Sequence, residues 1–143
     1  MPFAFTVSAI IPALPRAIYE AWLDGKKHGA MNGGGPATAS KRVGGAFTAH
    51  DGYIAGKNLK LEPGKRIVQS WRTTQFTDAD ADSQIEVTFA KAAGGTRLTL
   101  THTNVPDGHT GYQSGWVTHY FQPMKRYFAA AKKPAVKKKA PKR

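Results

Sequence analysis

Five histidines, at positions 28, 50, 102, 109 and 119, are the side chains of this sequence best suited to move protons or bind metal near neutral pH. They are scattered. His109 and His119 stand ten residues apart, which does not place two ligands on one helical face, and no HExxH pattern occurs. Cysteine is absent, which excludes disulfides, thiolate nucleophiles and cysteine-ligated zinc or iron–sulfur. Asp78, Asp80 and Asp82 alternate in a short acidic run. The glycine and closing glutamate of a calcium loop are missing there, so it reads as a solvated turn. Ser40, Ser70, Ser83 and Ser114 lie in no nucleophile-elbow context, and Gly33–Gly35 lead to no Lys-Ser/Thr of a phosphate loop. The residue types thus define no catalytic set, no metal site and no cofactor. Acid–base work by His102 with Tyr120 on a bound ligand is the weakest chemistry still open.

The elements that would position these residues follow from hydrophobic periodicity. Phe3, Phe5, Val7 and Ala9 alternate with Ala4, Thr6, Ser8 and Ile10, a first strand. Pro12 and Pro15 end it, and Ile18, Tyr19, Trp22 and Leu23 recur at helical spacing up to Asp24-Gly25. Lys26 to Gly35 is polar and then glycine-rich, one helical turn and a loop. Strands are predicted over Ala37–Lys41, Ala46–His50, Tyr53–Leu61, Arg66–Thr74, Gln84–Lys91 and Thr96–Thr103, separated by turn signals such as Asp51-Gly52, Glu62-Pro63-Gly64 and Gly94-Gly95. Connections this short make neighbours antiparallel. Trp116, Tyr120, Pro123, Met124 and Tyr127 then mark a long closing helix, with a kink expected at Pro123. The fold class is α+β. A curved antiparallel sheet of six to seven strands wraps around the last helix, with one or two short helices after the first strand, the layout of a helix-grip domain.

Strand parity selects an inner face. Ile85, Val87 and Phe89 share one side of their strand; Leu98, Leu100 and His102 share one side of the next; Gln69 and Trp71 share a parity with Ile67. With Trp116, Tyr120 and Met124 of the helix, these residues line the space between sheet and helix. His102 is the one histidine predicted to face inward. That space is either a ligand cavity with His102 and Gln69 as its polar groups, or a filled core in which both are bonded to backbone or buried water.

Several blocks carry a resemblance. They are Met31-Asn32-Gly33-Gly34-Gly35-Pro36-Ala37, Gly44-Gly45-Ala46-Phe47, Asp51-Gly52-Tyr53-Ile54-Ala55-Gly56 and the run from Leu61 to Arg72. Gly95-Thr96-Arg97-Leu98-Thr99-Leu100, Asn104-Val105-Pro106 and Gly115 to Phe121 continue it. Across residues 3 to 128 the sequence resembles the activator of Hsp90 ATPase homologue 1-like (AHSA1-like) family, of the START/Bet v 1-like superfamily. The resemblance implies the same helix-grip fold. It also implies action on an Hsp90-type ATPase, although the eukaryotic co-chaperone uses a separate N-terminal domain for which this sequence leaves no room. Other members of the superfamily hold lipids, hormones or polyketides in the cavity.

Charge needs dividing before it is interpreted. The chain of 143 residues carries 21 cationic and 9 acidic side chains, a net +12. Lys132, Lys133, Lys137, Lys138, Lys139, Lys142 and Arg143 supply 7 of these cations in the last twelve residues, so residues 1–131 hold 14 cations against 9 anions, or +5. Dense like charge with two prolines reads as a disordered basic tail over 132–143, appended to a domain at 1–131. Such a tail either attaches weakly and salt-dependently to DNA, RNA or another acidic surface, or keeps the chain soluble with no dedicated partner. The start lacks a signal-peptide pattern and no apolar run is long enough for a membrane helix, so the expected compartment is the cytoplasm and no membrane partner is expected. The expected function is non-enzymatic binding of a small apolar ligand, lipid-like or aromatic, between sheet and helix. Co-chaperone action on an Hsp90-type ATPase is the alternative, and tail-mediated nucleic-acid association a third.

Overall fold

Period-two alternation becomes a single sheet. A computed structural model describes residues 2–137, with side chains as far as residue 131. Strands β1 (Phe3–Ile11), β2 (Ala46–Ala49), β3 (Ile54–Glu62), β4 (Arg66–Thr73), β5 (Ser83–Ala92) and β6 (Gly95–Val105) pair antiparallel in the order β1-β6-β5-β4-β3-β2. The sheet curves, and its buried face carries the parity set read from the sequence: Ile85, Val87 and Phe89 on β5, and Leu98, Leu100 and His102 on β6. Six strands form rather than seven. The stretch Ala37–Lys41 contributes one isolated bridge, Thr38 to Thr48. The Asn58 side-chain amide donates to the carbonyls of Ser40 at 2.8 Å and Arg42 at 3.0 Å, taking up acceptors that a longer ladder needs.

Two short helices follow β1. Pro15 opens α1 (Pro15–Trp22), whose buried side is Ile18, Tyr19, Ala21 and Trp22. Asp24 then caps α2 (Gly25–Met31) by accepting from the Lys27 amide at 3.0 Å, a bond that holds its carboxyl below the usual range. Helix α2 is thus longer than the single turn expected.

The closing helix has three parts: α3 (Tyr112–Trp116), a π-helical turn (Val117–Phe121) and α4 (Gln122–Lys137). The irregularity expected at Pro123 lies immediately before it. The Gln122 amide reaches back to the Val117 carbonyl, and Pro123 has no N–H with which to restore the normal ladder. The wide turn lets Trp116, Tyr120, Phe121 and Met124 all be buried against the sheet. Among the described residues no helix is long and apolar enough to cross a membrane. The basic segment 132–143 lies outside the described side chains, and outside the described residues altogether beyond Lys137.

Candidate functional site

The inward histidine is fully used. His102 has 0% exposure, and the Trp116 indole N–H donates to its Nδ1 at 3.1 Å. That bond fixes the tautomer, so His102 Nε2–H donates to Ser83 Oγ at 2.8 Å, and the Ser83 hydroxyl donates to the Trp71 carbonyl at 2.8 Å. Burial pushes the His102 pKa down to about 3. Gln69 is equally occupied: it accepts from the Trp22 indole at 3.2 Å and donates to Asn58 Oδ1 at 2.9 Å. Both polar groups therefore sit in a filled core. Both ring nitrogens of His102 are taken, and the Gln69 amide has a partner on its oxygen and on its nitrogen.

A second inward histidine corrects the sequence expectation that His102 alone faces the core. His28 is buried, with its Nδ1–H donating to the Trp22 carbonyl at 2.9 Å and its Nε2 accepting from the Tyr120 hydroxyl at 2.8 Å. Burial lowers His28 to about 4 and raises Tyr120. The inward turn depends on glycine: a Cβ on Gly29 would lie 2.5 Å from the Gly35 carbonyl oxygen, so only glycine lets α2 lie this close to the loop that follows it. The signal in the sequence was the His28/Met31 pair at i,i+3, both buried on one helical face.

Space is left at one end of the sheet rather than beneath it. The β2–β3 turn, the end of β4 and the loop leading into α3 surround an open cleft of about 780 Å³. Its aromatic wall is Trp71, Tyr112, Trp116 and Tyr120. Ring centroids lie 5.0 Å apart for Trp71–Tyr112, 5.5 Å for Trp71–Trp116 and 4.6 Å for Trp116–Tyr120. Tyr112 is held by Thr73 Oγ1 at 2.7 Å and His109 Nδ1 at 3.0 Å. Gln75, Thr110, Ser114 and Thr118 add polar groups, and His50, His109 and His119 complete the rim. Among the described residues that line it there is no Asp, Glu, Lys or Arg.

One end of the cleft is built from a strained turn. His50 and Asp51 have φ of 49° and 58°, and Gly52 follows at 86°. Left-handed backbone is uncommon outside glycine, and here it carries the His50 ring to 5.5 Å from Tyr120 and 6.2 Å from His119. Burial, with His119 as a smaller contributor, lowers the His50 pKa.

Of the residues expected to line a cavity, Trp71, Trp116 and Tyr120 border the cleft. Gln69, Ile85, Val87, Phe89, Leu98, Leu100, His102 and Met124 are buried in the core and do not border it. Their parity was read correctly, but inward side chains fill the space that the sequence left open as a cavity. His50, Tyr53, Gln75, His109, Tyr112 and His119 were not among the candidates, because loop residues of distant segments meet only through the fold. The acidic run is a turn: Asp80 accepts from the Thr77 amide at 2.8 Å, and Asp82 pairs with Arg72 at 2.6 Å.

A curved antiparallel sheet gripping a C-terminal helix, with an aromatic-walled cleft at one end, defines a helix-grip domain. The chain belongs to the family described as Activator of Hsp90 ATPase homolog 1-like protein, which matches residues 12–129. It is 30% identical over 98 residues to the "Activator of 90 kDa heat shock protein ATPase homolog" of Dictyostelium discoideum, covering 67% of this chain and 25% of that protein. Homolog 1 of Homo sapiens is 31% identical over 94 residues, 65% of this chain and 28% of that one. The chain thus spans little more than a quarter of the length of these relatives. The fold matches an HSP90 activator from Plasmodium falciparum with TM-score 0.78 and 22% identity, covering 89% of this chain and 96% of that one. An AHSA1-like protein from Aeromonas hydrophila gives TM-score 0.68 and 24% identity, covering 90% and 93%.

Proposed function

We propose that this protein binds a small, largely apolar aromatic ligand in the end cleft, without catalysing its conversion. One observation carries the reading: a cleft of about 780 Å³ walled by Trp71, Tyr112 and Trp116, with no Asp, Glu, Lys or Arg side chain among the described residues that line it. Ligand sites of this size are mostly apolar with a few directed polar groups, which is the composition here. The ligand site moves from the space under the sheet to the open end of the grip. Gly115 offers a test, since a Cβ there meets nothing within 4 Å and the residue lies in a helix. A Gly115→Leu substitution fills the cleft while leaving the core alone. In a titration with an aromatic probe such as 2-naphthalenemethanol, backbone resonances of Trp71, Tyr112 and Trp116 and the indole resonances of the two tryptophans should shift in the parent chain. They should stay unmoved in G115L, and equal response of both proteins refutes the site.

A second reading is favoured by the relatives, whose names describe activators of the 90 kDa heat shock protein ATPase. In that reading this domain attaches to an Hsp90-type chaperone and alters its ATP turnover. The steady-state ATPase rate of such a chaperone, with and without saturating full-length chain, decides it. A changed rate supports accessory action, and an unchanged rate removes it.

A further inference from the structure

The cleft has two chemically different ends, and the difference selects a class of ligand. Its middle is a set of aromatic faces, Trp71, Tyr112 and Trp116. At one end His109 is tied to the Tyr112 hydroxyl at 3.0 Å, with the Asp80 carboxylate near it. At the other end His50 and His119 face one another at 6.2 Å. His50 Nε2 is buried with no hydrogen-bond partner among the described residues, while His119 is exposed. The groups packed around this pair are the neutral rings of Tyr120 and His28, with Tyr53 across the turn. Asp51, next in the chain, is exposed, and no carboxylate is among the described residues that line the cleft.

The partly buried His50 ring resists becoming charged, because a proton there loses water and meets the His119 ring beside it. A ligand carboxylate between them reverses that preference, since it supplies the anion that the wall lacks and accepts from both rings. The strained backbone at His50 points the same way. A turn of this shape accepts Gly or Asn readily, and histidine there spends conformational energy on holding a ring at the cleft.

We infer that the cleft takes a planar aromatic carboxylate, its ring system against Trp71 and Trp116 and its carboxylate on the His50–His119 pair. This rests on the end cleft being a ligand site, and the experiment separates the two claims. Binding of 2-naphthoate and of uncharged 2-naphthalenemethanol to the full-length chain is measured by calorimetry at pH 8 and pH 6. Naphthoate stays ionised at both. The expected result is naphthoate affinity rising about tenfold from pH 8 to pH 6, the limit set by uptake of roughly one proton over part of that range. Naphthalenemethanol affinity should hold constant. In His50→Asn, a residue that suits the left-handed backbone there, naphthoate should bind more weakly and with its pH dependence largely lost. Equal, pH-independent binding of both probes overturns the carboxylate assignment and leaves the cleft as an apolar site. Binding of neither overturns the cleft reading itself, and with it this one.

Discussion

A neutral imidazole in a dry core is held by whatever donates to one nitrogen and accepts from the other, and His28 and His102 are both held in this way. Their folded-state pKa values, about 4 and about 3, lie below the roughly 6.5 of an unfolded histidine. As pH falls, the unfolded chain takes up these protons first. Stability is therefore complete above about pH 6.5 and declines from there toward pH 4, by on the order of 2 kcal/mol per histidine at pH 5. Urea midpoints at pH 7.5 and pH 5 measure this, and a midpoint that holds to pH 4.5 contradicts it. His50 obeys a different rule. Its φ of 49° suits Asn better than His, so His50→Asn should leave stability equal or raise it by about 0.5–1 kcal/mol, while weakening ligand binding. Thermal unfolding and a binding titration on one sample separate the two effects. Parity in the sequence put His102 inside, but parity says nothing of valence, so its saturation by Trp116 and Ser83 was not legible. His50 was invisible as a site residue because its role depends on a left-handed turn conformation that the strand pattern around it does not announce.

At the scale of elements, the sheet was the most readable part, since each strand has one buried face and a period of two. What failed was a strand whose backbone partners were taken by a side chain. Asn58 sits at the irregularity of β3, where pairing with β4 shifts between Asn58 and Lys60. Its amide holds the Ser40 and Arg42 carbonyls, its backbone bonds Gly44 and Gly45, and its Oδ1 takes the Gln69 amide. One buried side chain thus ties the loop before β2 to the core through Gln69 and Trp22. Asn58→Ala takes a partner from the buried Gln69 amide and from the half-buried Ser40 carbonyl, while the Arg42 carbonyl keeps the Gly45 amide, and should cost about 1–3 kcal/mol. Amide exchange should accelerate over residues 40–45 well beyond the global change. Uniform acceleration across the sheet would mean that the loop is not fastened there. Pro123 likewise announced an irregular helix, but its form was not legible. The π-helical turn is set by which aromatic rings must reach the sheet, and those contacts are tertiary.

The whole molecule combines a nearly balanced body with a strongly basic end, and the two make separate predictions. Residues 1–131 carry +5, and residues 132–143 add 7 cations without an anion. The cleft lies at one end of the sheet, and no Lys or Arg is among its lining residues. Ligand binding there should therefore be insensitive to the basic segment, whereas association with polyanions should depend on it. Contacts of this kind release condensed counterions, so the logarithm of the association constant falls with the logarithm of salt at a slope near −0.9 per phosphate neutralised. Seven cations set a ceiling of roughly −6 on that slope for duplex DNA. Replacing Lys132, Lys133, Lys137, Lys138 and Lys139 by Gln leaves the body's sequence unchanged and removes most of this charge. The expected outcome is weak, sequence-independent binding of the parent chain to duplex DNA, with a steep salt slope that flattens to about −2 or less in the substituted chain. Affinity for an aromatic probe in the cleft should be the same in both. If the substituted chain keeps the parent's slope, the phosphate contacts come from the body, and its +5 would then have to be mapped onto the sheet face and helices instead of the chain end.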